Sequence, residues 1–192
     1  MLITNDFEVA QPVARVWEFF GDIPKVASCL PGADLTQDLG ENSYGGTVAI
    51  RMGPVRLQFA GRARITERDE AGRRIVVHAD GADQRGRGQA AMVVSATLAE
   101  AGTGRTRVAV SQDLQLSGAA AQYGRGMISD VSAILMRDFA ANLATAIGQS
   151  ERGEQVRATA APAGGLTIGL RAAMLALRRV FRRFFVPYQA AS

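Results

Sequence analysis

Hydrophobic and polar positions along this 192-residue chain change period twice. Leu2 to Val9 alternates as a short strand does. Pro12 then opens a helical stripe of Val13, Val16, Trp17 and Phe20, which Gly21 and Pro24 break. A second short helical piece around Lys25–Ser28 ends at Leu30-Pro31-Gly32. From there to about Ser117 the period is two. Val55, Leu57, Phe59, Gly61, Ala63 and Ile65 share one face, and Arg56, Gln58, Arg62 and Arg64 share the other, as in a half-buried strand. Val48 and Ile50 precede this strand. Ile75, Val77 and Ala79 follow, then Met92, Val94, Ala96 and Leu98, and last Val108, Val110, Leu114 and Leu116. Turn residues at Gly40–Asn42, Gly53-Pro54, Glu70–Gly72, Gly81–Asp83 and Gly102–Gly104 separate the segments and predict an antiparallel meander. Gly61, Gly86 and Gly88 are expected to bend it or to admit a close approach.

From Ala121 to Ile147 the helical period returns, with Met127, Ile128, Val131, Ile134, Leu135, Phe139 and Ala146 on a wide stripe that Gly148 is expected to end. A helix of this length needs a broad apolar partner, and the concave face of a curved sheet supplies one. The order β-α-β6-α thus predicts an α+β helix-grip fold over residues 1–148. Asp138 and Asn142 fall at about 340° and about 20° from Val131, inside the apolar arc, and are expected to point inward. A buried carboxylate needs a partner, so this reading requires either an internal salt bridge or a cavity with polar contacts. The facing of the stripes nominates Trp17, Phe20, Phe59, Met92, Leu116, Met127, Val131 and Leu135 as cavity residues, with Asp138 or Asn142 as the polar contacts.

Residues 149–165 lose periodicity and read as a flexible linker. A final amphipathic helix is expected over 166–186, followed by a disordered terminus at 187–192. On its wheel Leu170, Met174, Leu177, Phe181, Phe184 and Phe185 lie opposite Arg171, Arg178, Arg179, Arg182 and Arg183. Charge sharpens the division. Residues 1–154 carry 16 basic and 18 acidic side chains, whereas 155–192 carry six arginines and no acid. The pI near 10 therefore belongs to the tail and is no nucleic-acid footprint of the folded part. Arginines opposite phenylalanines suit the headgroup boundary of an anionic bilayer, and five of them oppose spanning it. Packing on the domain or on a partner is the alternative. The N-terminus has no charged segment followed by an apolar one. The expected location is thus peripheral, on the cytoplasmic side of the cell membrane, against the anionic inner leaflet.

Candidate chemistry is sparse. His78 is the only histidine and alternates with inward residues, so it is expected on the outer face. No nucleophile elbow accompanies it. Cys29 is the only cysteine, and neither a disulfide nor a metal site is expected. Gly86-Arg87-Gly88 resembles a fragment of a phosphate loop but lacks the strand-to-helix setting. No catalytic activity and no nucleic-acid partner are expected.

Several motifs in order, Pro12-x-x-x-Val16-Trp17, Asp22-x-Pro24, Cys29-Leu30-Pro31-Gly32-Ala33, Gly53-Pro54 and Phe59-x-Gly61, resemble the G-subunit family of carbon monoxide dehydrogenase, within the START-like, helix-grip superfamily. Gly104-x-Thr106, Leu116-Ser117-Gly118 and Gln122-x-Gly124-Arg125 extend the likeness over roughly residues 1–148. Asp138-Phe139 departs from a commonly doubled Phe. The resemblance implies a non-catalytic accessory protein of a molybdenum-containing dehydrogenase of the carbon monoxide dehydrogenase type. It further implies a membrane-tethered carrier of menaquinone or another respiratory quinone. An assembly or membrane-recruitment factor without a redox ligand is the alternative.

Overall fold

The computed structural model describes residues 1–53 and 55–151; the expected tail helix, its contacts and the terminus lie outside these residues, as does most of the linker. The elements run β1 (Leu2–Val9), α1 (Val13–Phe19), α2 (Ile23–Cys29), β2 (Ala33–Gly40), β3 (Ser43–Met52), β4 (Val55–Asp69), β5 (Arg74–Asp83), β6 (Gln89–Glu100), β7 (Thr106–Leu116), a 3-10 turn (Gly118–Gln122) and α3 (Arg125–Glu151). The strands form one antiparallel sheet in the order β1-β7-β6-β5-β4-β3-β2, and α3 packs chiefly against β1 and α2, with α1 and β3 also beside it. This is the helix-grip plan that the change of period predicts.

Local chemistry sets the boundaries. The Asp22 carboxylate accepts a hydrogen bond from the Lys25 N–H at 3.2 Å and caps α2, with Pro24 in its first turn. Glu41 and Asn42, at φ 50° and 59°, close the β2–β3 hairpin with a two-residue loop whose twist matches the strands.

Three boundaries differ from the expectation. Gly81–Asp83 is not a turn but the end of β5, and the chain reverses over residues 84–88. The Asp83 side chain organises that reversal by accepting hydrogen bonds from the backbone N–H groups of Gln58, Arg85 and Arg87. Gly86 and Gly88 thus serve the turn rather than a bend within a strand. The stretch expected to begin the long helix at Ala121 is a 3-10 turn. At its other end α3 passes straight through Gly148 to Glu151, because a glycine weakens a helix without ending it unless the chain turns left-handed there.

Two apolar clusters fill the ends of the fold. One joins α1 to the C-terminal half of α3 through Val9, Val16, Trp17, Leu98, Val108, Phe139 and Leu143, with Phe7 edge-on to Phe139 at 5.9 Å. The other gathers Ile3, Met52, Leu57, Phe59, Ala120 and Ile128. Between them the middle of the sheet is open.

Candidate functional site: an apolar cavity between sheet and helix

Register explains why the middle is hollow. Leu35, Gly46, Gly61, Gly81, Ala90 and Leu116 are successive partners across β2 to β7, and all line the cavity. Three adjacent strands thus present glycine to the concave face where a side chain would fill it. At Gly61 a Cβ would come within 1.9 Å of the Asp80 carbonyl oxygen, and at Gly46 within 2.5 Å of the Asp34 carbonyl oxygen. So tight a bend excludes any side chain at these two positions. The next row along, Tyr44, Ala63, Ala79, Met92 and Leu114, is small at its centre as well. The resulting cavity holds about 480 Å³, within the range of about 300–1,000 Å³ common for small-molecule sites. Ile23, Val26 and Ala27 of α2, with Leu30 just after it, close one side, and Ile128, Val131, Leu135, Met136 and Phe139 of α3 close another.

Of the residues nominated from sequence, Phe20, Phe59, Met92, Leu116, Val131 and Leu135 line this cavity. Four do not. Trp17 belongs to the α1 end cluster, where its indole Nε1 donates to Glu70 and the Arg68 guanidinium stacks on its ring. Met127 is 44% exposed on the outer side of α3. Asp138 is also turned outward, its side chain 47% exposed and paired with Arg137. Asn142 is exposed and spends its amide on the Cys29 carbonyl at 3.0 Å, tying the end of α2 to α3. The cause is a misplaced axis. The buried residues Ile128, Ser132, Phe139 and Leu143 centre the inner face roughly 90° from Val131 at 100° per residue. The exposed Ile134 and Met127 had widened the apparent arc on the wrong side.

The buried polar residues that line the cavity come from elsewhere. Ser132 and Gln112 are buried and line it. The Asn5 amide donates to Ser132 Oγ at 3.2 Å, and Ser132 Oγ donates to Gln112 Oε1 at 3.3 Å. Sequence reasoning passed over both, although the signal was present. Gln112 interrupts the inward run Val108, Val110, Leu114 and Leu116, and Ser132 lies four residues after Ile128 and seven before Phe139.

Two buried ionisable groups, Asp83 and Cys29, sit in structural settings. The Arg87 guanidinium, with Nε and Nη2 each 2.8 Å from the carboxylate, outweighs burial and, with the backbone N–H groups, holds the Asp83 carboxyl well below the usual range. Burial pushes the Cys29 thiol up to about 11, which keeps it protonated and poorly nucleophilic. His78 is exposed on the outer face. Among the described residues no group of three or more His, Cys, Asp or Glu is placed to hold a metal, and no helix is long and apolar enough to cross a membrane.

Known structures share this architecture. A conserved protein from Geobacillus kaustophilus superposes with a TM-score of 0.70 at 19% identity, covering 78% of this chain and 97% of its own. A START superfamily protein from Mycobacterium smegmatis matches at 0.54 and 13% identity, over 78% of this chain and 98% of its own. The Zhui aromatase/cyclase from Streptomyces sp. R1128 matches at 0.51 and 18%, over 86% and 99%. At such identities the likeness speaks for the fold alone. No curated protein matches in sequence. Residues 6–148 match the family model for CoxG, the G-subunit of carbon monoxide dehydrogenase, and the chain belongs to that family.

Proposed function

We propose that this protein is an accessory carrier that holds an isoprenoid quinone, menaquinone in the first instance, in the cavity between sheet and α3. It serves a molybdenum-containing dehydrogenase of the carbon monoxide dehydrogenase type by moving that quinone between enzyme and membrane. The observation that carries the reading is the cavity itself, about 480 Å³ lined almost wholly by apolar side chains. Such a lining favours a greasy ligand through burial of its surface. The family match supports the choice of enzyme partner. The arginine- and phenylalanine-rich segment 166–186 supports a peripheral position on the cytoplasmic face of the membrane.

The test is organic extraction of the purified protein followed by mass spectrometry, with titration of the stripped protein by a menaquinone carrying a short isoprenoid tail. Co-extraction of a quinone and saturable binding are expected. Failure of both would leave the protein as an assembly or membrane-recruitment factor for the dehydrogenase.

A further inference from the structure

One wall of the cavity carries a donor with nothing to donate to. Ile65, Val77, Val94, Gln112 and Ile3 are successive register partners across β4, β5, β6, β7 and β1, and all five face the hollow. Four of the five are aliphatic. Gln112 is only 7% exposed, and its Nε2 is buried without a hydrogen-bond partner, alone among the buried side-chain nitrogens and oxygens of the described residues. Its other end is held, since Oε1 accepts from Ser132 Oγ, which in turn accepts from the Asn5 amide. A hydrocarbon side chain of similar volume would fit this row and avoid the cost of an unmade hydrogen bond, about 1–3 kcal/mol.

We infer that Gln112 Nε2 is the cavity's ligand-recognition donor, taking up an acceptor oxygen, a ring carbonyl in the case of a quinone, on a ligand that is otherwise apolar. Nε2 is closed off even from water, so a small turn of the terminal amide about its last torsion, a broad and soft rotation, admits the acceptor. Ser132 and Asn5 are positioning residues that hold the amide at the junction of β1, β7 and α3. A ligand bound this way lies with its polar head against β7 and its tail along the glycine row toward β2. Discrimination follows from the chemistry: an analogue with no acceptor leaves Nε2 unpaired and gains only the burial of its hydrocarbon.

This inference rests on the cavity being a binding site for an apolar ligand, and the test separates the two. Two probes are titrated into stripped protein: a 1,4-naphthoquinone with a short isoprenoid tail, and the same tail on naphthalene lacking both oxygens. The wild type should prefer the quinone. Gln112→Leu should weaken quinone binding about fivefold to tenfold, as loss of one hydrogen bond implies, while binding the hydrocarbon at least as well as before. Gln112→Met, unbranched and close in length, repeats the test if the leucine variant folds poorly. In nuclear magnetic resonance spectra of the wild type, the Gln112 side-chain N–H should shift downfield on adding the quinone and stay put on adding the hydrocarbon. Equal quinone affinity in wild type and both variants would overturn the assignment of Gln112 and leave the cavity's function standing. Binding of neither probe by any form would overturn both.

Discussion

The indole Nε1 of Trp17 donates to a Glu70 carboxylate oxygen at 2.5 Å, joining α1 to the turn between β4 and β5 across 53 residues of sequence. Arg68 completes the cluster, with Nε 3.0 Å from Glu70 and its guanidinium 5.0 Å from the centre of the Trp17 ring. Gly21 leaves room for it, since a Cβ there would lie 3.1 Å from the Arg68 Nη2. This tie secures α1 over one end of the sheet. Glu70→Ala should therefore lower the melting temperature and alter the emission of Trp17, the only tryptophan in the chain. Glu70→Gln, which keeps an acceptor but loses the charge, should fall between. Unchanged emission and melting in both variants would show that the tie contributes nothing to holding α1.

Asp83 should contribute to the stability of the fold in acid. Its carboxyl ionises well below the usual range because Arg87 and three backbone N–H groups favour the anion. A depressed native value stabilises the fold above the ordinary carboxylate range, and the contribution is lost as pH falls from about 4 toward the native value. Asp83→Asn should therefore be less stable than wild type at pH 7, and the gap should narrow steadily as acid unfolding is followed from pH 5 to pH 2. A gap independent of pH would contradict this account.

Glycines separate into two kinds. Gly61→Ala places a Cβ 1.9 Å from the Asp80 carbonyl oxygen, and forcing strands apart in a packed fold costs about 1–3 kcal/mol or more. Gly148→Ala meets nothing within 4 Å and lies inside α3, where alanine is favoured over glycine by about 0.5–1 kcal/mol. Chemical denaturation should give opposite signs for the two. A destabilising Gly148→Ala would argue that the helix stops at that glycine.

Removal of residues 166–192 should leave the domain folded, with an unchanged circular dichroism melting transition, and abolish most of its co-sedimentation with anionic vesicles. The full chain should release from the same vesicles as salt is raised, because screening weakens arginine attraction to lipid headgroups. Equal sedimentation of the two proteins would remove the membrane from the proposed function.

Much of the fold is legible in the chain because its two periods are clean. Alternation marks which residues of each strand look inward, and it places Phe59, Met92 and Leu116 on the cavity wall. The long helix reads less well. Its outer side carries Met127 and Ile134, so hydrophobicity alone locates the stripe but not its midpoint. That error turned Asp138 and Asn142 inward on paper and hid Ser132. Gln112 was missed for the opposite reason. Attending only to the apolar members of β7 discards the polar one among them, and a polar residue in phase with a buried row carries more information than its aliphatic neighbours. The turn expected at Gly81–Asp83 falls just beyond it, because Asp83 ends the strand and its carboxylate gathers three N–H groups, a role that composition does not mark.

The glycine row also bears on how the protein tolerates mutation. A void carved by small but ordinary side chains closes gradually, as alanine drifts to valine and valine to leucine, while the scaffold survives. Here the emptiest stretch of wall is bare main chain, and at Gly61 and Gly46 any replacement bulky enough to occupy the space also collides with the adjoining strand. Along that stretch the chamber cannot be silted up without dismantling the sheet around it, so selection for folding alone preserves its volume.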